Sequence, residues 1–370
     1  MPSKLALLSL MAVSVFAQRA PETGIAAASD GAAFHRNAIP QVARLGDSRL
    51  MATMVSTSKT PGTHARITAV FSSDGGKTWT SPPKVLHAET EAARTVGDAN
   101  ILVDGNTVFV YWTRVFNPNT IKKSWTFGIR SADSGATWSE PREVFIPRQY
   151  TPGKQHNAIK LADGSYAMGI SWDHWPERGL NARTEGEMNL SSGLLLSKDG
   201  WTWTLHGDLH TFVEKVTPNS TNGLAEPSPV QLSDGEILMF LRSGSSRHYE
   251  ARSRDGGATW GVPEPSALVG HNTPVAVKRL DQASREIVAV WNNSPINRFP
   301  LSAALSADGG RTWTSPRILA ESNGLQVSYP GLTQTADGII VAVFQAQRED
   351  GGRDIRYARF TREWLLGITR

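Results

Sequence analysis

A chain of 370 residues with 39% hydrophobic content has the composition of a folded globular protein, and the absence of cysteine excludes disulfides and thiol redox chemistry. A formal charge of +4 and a pI near 9.3 suit anionic ligands, while no Lys/Arg block resembles a nucleic-acid patch. Thirty-three glycines, 21 prolines and 12 tryptophans, with few long runs of strong helix formers, favour β-structure.

The chain opens on a segment with the features of a secretory signal. Lys4 gives the positive start, Leu5 to Phe16 the apolar core, and Val15-Phe16-Ala17 a small-residue cleavage site. The apolar run is too short to span a bilayer as a permanent anchor. The expectation is therefore a signal peptide over residues 1–17, a flexible lead-in over 18–31, and a secreted or periplasmic product that is not membrane-bound. Residues 32–366 are expected to form a single domain, because one repeat runs through nearly all of them.

That repeat is Ser72-Ser73-Asp74-Gly75-Gly76-Lys77-Thr78-Trp79, which returns at 131–138, 253–260 and 306–313, and one residue shorter at 197–203. The closing tryptophans lie 59, 65, 57 and 53 residues apart, a period that points to a radial β-array. The motif is a turn: Asp and Ser bond nearby amides, Gly supplies positive φ, and Thr-Trp starts a strand whose indole packs between units. Each copy has one carboxylate and no distal Glu, unlike a calcium loop, so neither a metal nor a cofactor is expected.

A second set of turns sets the unit count. Leu45-Gly46-Asp47, Asp104-Gly105, Asp163-Gly164, Asp234-Gly235, Leu280-Asp281 and Asp337-Gly338 each separate two short apolar runs, as hairpin turns do. Each unit reads as strands A and B joined by such a turn, then C and D joined by the Asp box. The fold predicted is all-β, a six-bladed β-propeller with Asp-box repeats. The sixth unit lacks a box, its tail Asp354–Phe360 alternates like a strand, and its outermost strand is expected from the segment near Phe34. A short helix around Thr361 to Leu366 ends the fold.

Antiparallel alternation puts every A–B and C–D turn on one face, and every B–C loop and D-to-A link on the other. The second face carries the irregular, chemically rich sequence. Glu226 precedes strand A of blade four, Arg242 ends its strand B, Arg298 lies in the B–C loop of blade five, and Tyr329 leads into blade six. Arginine grips carboxylates bidentately, and a phenol beside a carboxylate base can become a nucleophile. An adjacent guanidinium would lower the pKa of such a phenol. Read singly, Arg242 could pair with a neighbouring Asp and Tyr329 could simply pack; together they suit an anionic sugar. His156 precedes strand A of blade three, Trp172-Asp173-His174-Trp175 ends its strand B, and Trp112 and Arg114 hold the equivalent place in blade two. Tryptophans there could stack on a pyranose or pack between blades.

The boxes, their spacing and the pairs Glu226/Arg242 and Arg298/Tyr329 resemble the sialidase (neuraminidase) superfamily over nearly the whole mature chain. The resemblance implies an exo-α-sialidase type of glycoside hydrolase, with Arg242 and Arg298 holding a substrate carboxylate, Tyr329 as nucleophile and Glu226 as its base. Two departures stand out. Sialidases carry an Arg-Ile-Pro near the first strand, where this chain has Ala38-Ile39-Pro40, and strand alternation makes Arg36 the candidate substitute. The B–C loop of blade one, where the family keeps its acid/base Asp, holds no carboxylate over 58–66; His64 is its proton carrier, with Asp173 the other candidate acid. Three readings follow: a hydrolase of a terminal anionic sugar, a polysaccharide lyase on a uronate glycan with Tyr329 and His64 or His156 moving protons, and a non-catalytic carbohydrate-binding propeller.

Overall fold

The computed structural model describes residues 20–60, 65–90, 94–116, 123–146, 158–174 and 189–368. The signal segment, His64, His156 and Trp175 lie outside the described residues.

Each repeat unit folds as a meander. In blade four, strand A (Ala225–Gln231) pairs with B (Ile237–Arg242), B with C (Arg247–Ser253), and C with D (Glu264–Val269), all antiparallel. Blades two, three, four and five are separate sheets of four or five strands. The remaining eight strands form one sheet, and it divides at a single parallel bridge, Arg36 to Arg353, into two further four-stranded units. Blade one is Arg36–Arg44, Leu50–Thr57, Arg66–Ser72 and Lys84–Ala88; blade six is Val327–Gln334, Ile340–Gln347 and Arg353–Phe360 with a borrowed fourth strand. Six hydrophobic clusters lie one at each junction between neighbouring blades, the last joining Val42, Met54 and Val70 of blade one to Val343 and Ile355 of blade six. The ring is thus closed by apolar burial, at about 1.5–3 kcal/mol per large side chain.

The borrowed strand corrects the sequence reading. It is Glu22–Ala27, within the stretch read as a flexible lead-in, and not the segment near Phe34. It runs antiparallel to Arg353–Phe360 with Glu22 opposite Arg359, and those two side chains form an ion pair. An unpaired edge of eight residues is a strong template, which is why Glu22–Ala27 is captured there.

The Asp boxes fold as their chemistry requires. Gly76 N donates to Ser72 Oγ at 2.8 Å, Thr78 N and Thr78 Oγ1 donate to the Asp74 carboxylate at 3.0 and 2.7 Å, and Trp79 Nε1 donates to Gly76 O at 3.2 Å. The indoles then reach the preceding blade: Trp79 packs on Tyr357 and Trp313 on Phe240. After Phe360, Thr361 caps a five-residue helix, Arg362–Leu366, that buries Trp364 and Leu365 against the blade five–six junction.

Candidate active site

Four of the six innermost strands share a feature that the sequence patterns did not reveal. Strand A carries a β-bulge in blades one, two, four and six, between Ala38 and Gln41, Gly97 and Asn100, Ala225 and Ser228, and Ser328 and Gly331. A non-glycine residue sits in the left-handed region at each: Ile39 (φ 52°), Asp98 (54°), Glu226 (44°) and Tyr329 (55°). Asn272, just ahead of strand A in blade five, has φ 53°. Such a conformation costs about 1–2 kcal/mol and re-aims a side chain away from the sheet's alternation. Buried side chains hold two of these bulges: Ser171 Oγ accepts from Glu226 N at 2.9 Å, and Gln345 Oε1 accepts from Ile39 N at 3.1 Å. Gly169 and Gly331 let neighbouring blades approach them; a Cβ on Gly169 would lie 2.3 Å from Pro227 O.

Three of these residues meet at one point. Arg242, at the end of strand B, donates from Nη1 to Glu226 Oε1 at 2.6 Å and to Tyr329 Oη at 3.2 Å. Tyr329 Oη donates to the same Glu226 Oε1 at 3.2 Å. Nε and Nη2 of Arg242 donate to Asn272 Oδ1 at 2.9 and 2.7 Å. Glu226, Arg242 and Tyr329 are all buried, at 1%, 3% and 6% exposure, so the pair and the phenol form a low-dielectric triangle. Arg298 stands above it, with its guanidinium 5.8 Å from the Tyr329 ring centroid and Nη2 donating to Asn272 O at 2.9 Å. The four residues singled out from the sequence therefore converge.

Arg242 is buried, with four donor contacts already made to Glu226, Tyr329 and Asn272. Its geometry organises the triangle. Half-buried Arg298 and exposed Arg36 lie within electrostatic reach of half-buried Arg353. Arg36 and Ala38 flank buried Asn37 on the same side of strand A, and Arg36 Nε donates to Gly351 O at 3.0 Å. Arg353 is paired with Arg36 across the bridge that closes the ring. Burial holds its pKa down, and so do the charges of Arg36 and Arg298, while the Tyr329 phenol acts on it in the opposite sense. Burial pushes His248 down to about 3, with the charges of Arg242 and His271 adding to it, and burial together with the charges of Arg242 and Arg298 lowers His271.

The other sequence candidates fare unevenly. Trp112 is fully buried in the core between blades one and two, stacked 4.9 Å from the ring of His87, and is not at the mouth. Both faces of a propeller blade are covered, so strand alternation does not separate an inward indole from a substrate platform. Arg114 forms a bidentate pair with Glu89 at 2.6 and 2.8 Å. Asp173 ends strand B of blade three, half-buried. Asp98, Asn272 and Arg353 were missed. For Asp98 a signal existed: Asp98, Glu226 and Tyr329 each stand five to six residues before the end of strand A.

The family model for the BNR repeat-like domain matches residues 46–342, and the chain belongs to that family. Solved structures agree on the fold. A Hadza microbial sialidase, Hz136, superposes with a TM-score of 0.70 at 18% identity over 89% of this chain and 66% of its own. Trypanosoma rangeli sialidase in complex with the inhibitor DANA gives 0.65 at 15% identity over 90% and 56%. This chain thus spans two thirds or less of those two enzymes. A Dyadobacter fermentans protein of unknown function gives 0.69 at 18% identity over 91% of this chain and 97% of its own. The sialidase-superfamily propeller read from the boxes is the fold observed.

Proposed function

We propose that the chain is an exported glycoside hydrolase of sialidase type, acting on a terminal sugar that carries a carboxylate. The observation that carries this reading is the buried triangle, in which a phenol donates to Glu226 and accepts from Arg242. Tyr329 Oη would attack the anomeric carbon as the glycosidic C–O bond breaks, passing its proton to Glu226. Arg242 would steady the developing phenolate charge. Water would then cleave the glycosyl–tyrosine bond, with Glu226 returning the proton to the phenol and the water's proton going to the group that had protonated the leaving oxygen. A phenol suits this substrate class, because a carboxylate nucleophile would bring a second full negative charge beside the sugar's own; tyrosine is the noted exception to the two-carboxylate rule for this reason. Arg298, Arg36 and Arg353 would receive the sugar carboxylate, with Arg353 supplying a charge where Ala38 supplies none. The leaving-group oxygen would take its proton from the B–C loop of blade one, where His64 is the candidate.

The test is product analysis on a panel of sialosides and uronate glycans, following mass and ultraviolet absorbance, with Tyr329→Phe as control. Release of a free acid sugar, lost in the variant, supports the hydrolase. An unsaturated uronate would replace it with a lyase, and binding without turnover in either protein would replace it with a sugar-binding propeller.

A further inference from the structure

The innermost strands of all six blades line a cavity of about 420 Å³ on the ring axis. It sits at their C-terminal ends, marked by Arg44, Lys160, Gln231, Arg279 and Gln334 beside the A–B turns. From Glu226 to Gln231 is five strand residues, roughly 16 Å, so this cavity lies at the opposite end of the axis from the tyrosine site.

Its chemistry is one-sided. Among the described residues, four cations line it, Arg44, Lys160, Lys278 and Arg279, and no carboxylate does. Two of the four are answered from the rim: Lys160 pairs with Asp104 at 2.6 Å, and Asp281 acts on Arg279, which also bonds Gln282. Lys278 and Arg44 make no ion pair or hydrogen bond through their side chains among the described residues. Burial lowers the pKa of Lys278, and the charges of Arg44 and Arg279 lower it further. The charges of Arg44, from blade one, and Arg279, from blade five, thus both bear on Lys278 across a shared space. Amide donors stand beside them: Gln231 Oε1 accepts from Ala162 N at 2.8 Å, which leaves its NH2 group available to a ligand.

We propose that the axial cavity is a second binding site, for a small tetrahedral oxyanion, either free or as the ester group of a sulfated sugar, held by Lys278, Arg44 and Arg279. An anion there converts mutual repulsion into attraction and uses donors that the protein leaves unspent. The site is independent of the chemistry at Tyr329.

The experiment titrates inorganic phosphate in one arm and galactose 6-sulfate in the other into the whole protein by calorimetry, with thermal melts alongside. Lys278→Met, Arg44→Gln and the mouth variant Arg298→Lys are compared with wild type. The expected result is one saturable site per chain, weakened about 10-fold or more in Lys278→Met and Arg44→Gln and unchanged in Arg298→Lys, with an anion-dependent rise in Tm of about 3 °C in wild type only. Without anion, Lys278→Met is expected to melt no lower than wild type, because it removes a repelled charge. Should it fail to fold, exposed Arg44→Gln carries the test. Tighter binding of galactose 6-sulfate assigns the site to sulfated glycans, and tighter binding of phosphate to free oxyanions. No binding in either arm, equal binding in wild type and both cavity variants (an adventitious ion only), or loss in Arg298→Lys overturns the proposal.

Discussion

Replacing Tyr329 with Phe separates chemistry from architecture, because the ion pair beneath the hydroxyl does not depend on it. The hydroxyl's contacts to Glu226 and Arg242 are each 3.2 Å, whereas the Glu226–Arg242 contact is 2.6 Å and survives the change. Losing one such hydroxyl costs about 0.5–1.5 kcal/mol of stability, which for a domain of this size moves Tm by roughly 2 °C or less. Losing the nucleophile closes the covalent route, for which a fall in kcat of ~10³-fold or more is expected, at least about 4 kcal/mol in the barrier. The assay is initial-rate kinetics on a fluorogenic sialoside, run beside urea denaturation of the same preparations. A kcat within ~10-fold of wild type would refute the nucleophile assignment. So would a loss of rate that merely tracks a loss of folded protein.

Other perturbations test the surrounding reasoning. Glu226→Leu leaves the Arg242 charge buried without its carboxylate partner and is expected to cost about 3–5 kcal/mol in urea denaturation; an unshifted midpoint would mean the triangle is solvated. Arg353→Gln is expected to raise KM at least ~10-fold for a carboxylate-bearing sugar with a smaller change in kcat, and to leave Tm unchanged or higher, since Arg36 and Arg298 both repel it. An unchanged KM would remove Arg353 from the carboxylate clamp. Partial burial alone would raise the pKa of Asp74 and Asp308, but hydrogen bonds from the Thr, Ser and backbone groups of their boxes outweigh it and hold both at about 2. Carboxylates depressed below their unfolded value near 3.9 stabilise fully above about pH 4 and lose that contribution as pH falls through about 2. The stability gap between wild type and Asp308→Asn should therefore be constant above pH 4 and shrink toward pH 2; a gap that widens on acidification would contradict the box chemistry.

The ring was legible because its rules are local. Asp boxes and Asp-Gly turns mark which strands are joined on which face, and strand parity then puts Glu226, Arg242, Arg298 and Tyr329 at one mouth. What escaped depends on contacts between units. Arg353 enters the site across the single bridge between blades six and one, a pairing that no sequence spacing reports. Asn272 matters because its positive φ aims the side chain at Arg242, and the same local strain at Asp98, Glu226 and Tyr329 breaks the alternation on which sequence reading relies. The closing strand was misplaced because Glu22–Ala27 alternates too weakly to declare itself; its pairing partner, Arg353–Phe360, lies at the other end of the chain.

The central claim is a covalent bond between Tyr329 and the sugar. Its most direct measurement is peptide mass mapping after reaction with a fluorinated sialosyl trap that forms the glycosyl-enzyme but hydrolyses slowly. One sugar equivalent per chain is expected, on the peptide containing Tyr329, absent from Tyr329→Phe and prevented by free substrate. An adduct on another residue, or rapid release of product with no adduct at any time, would contradict it.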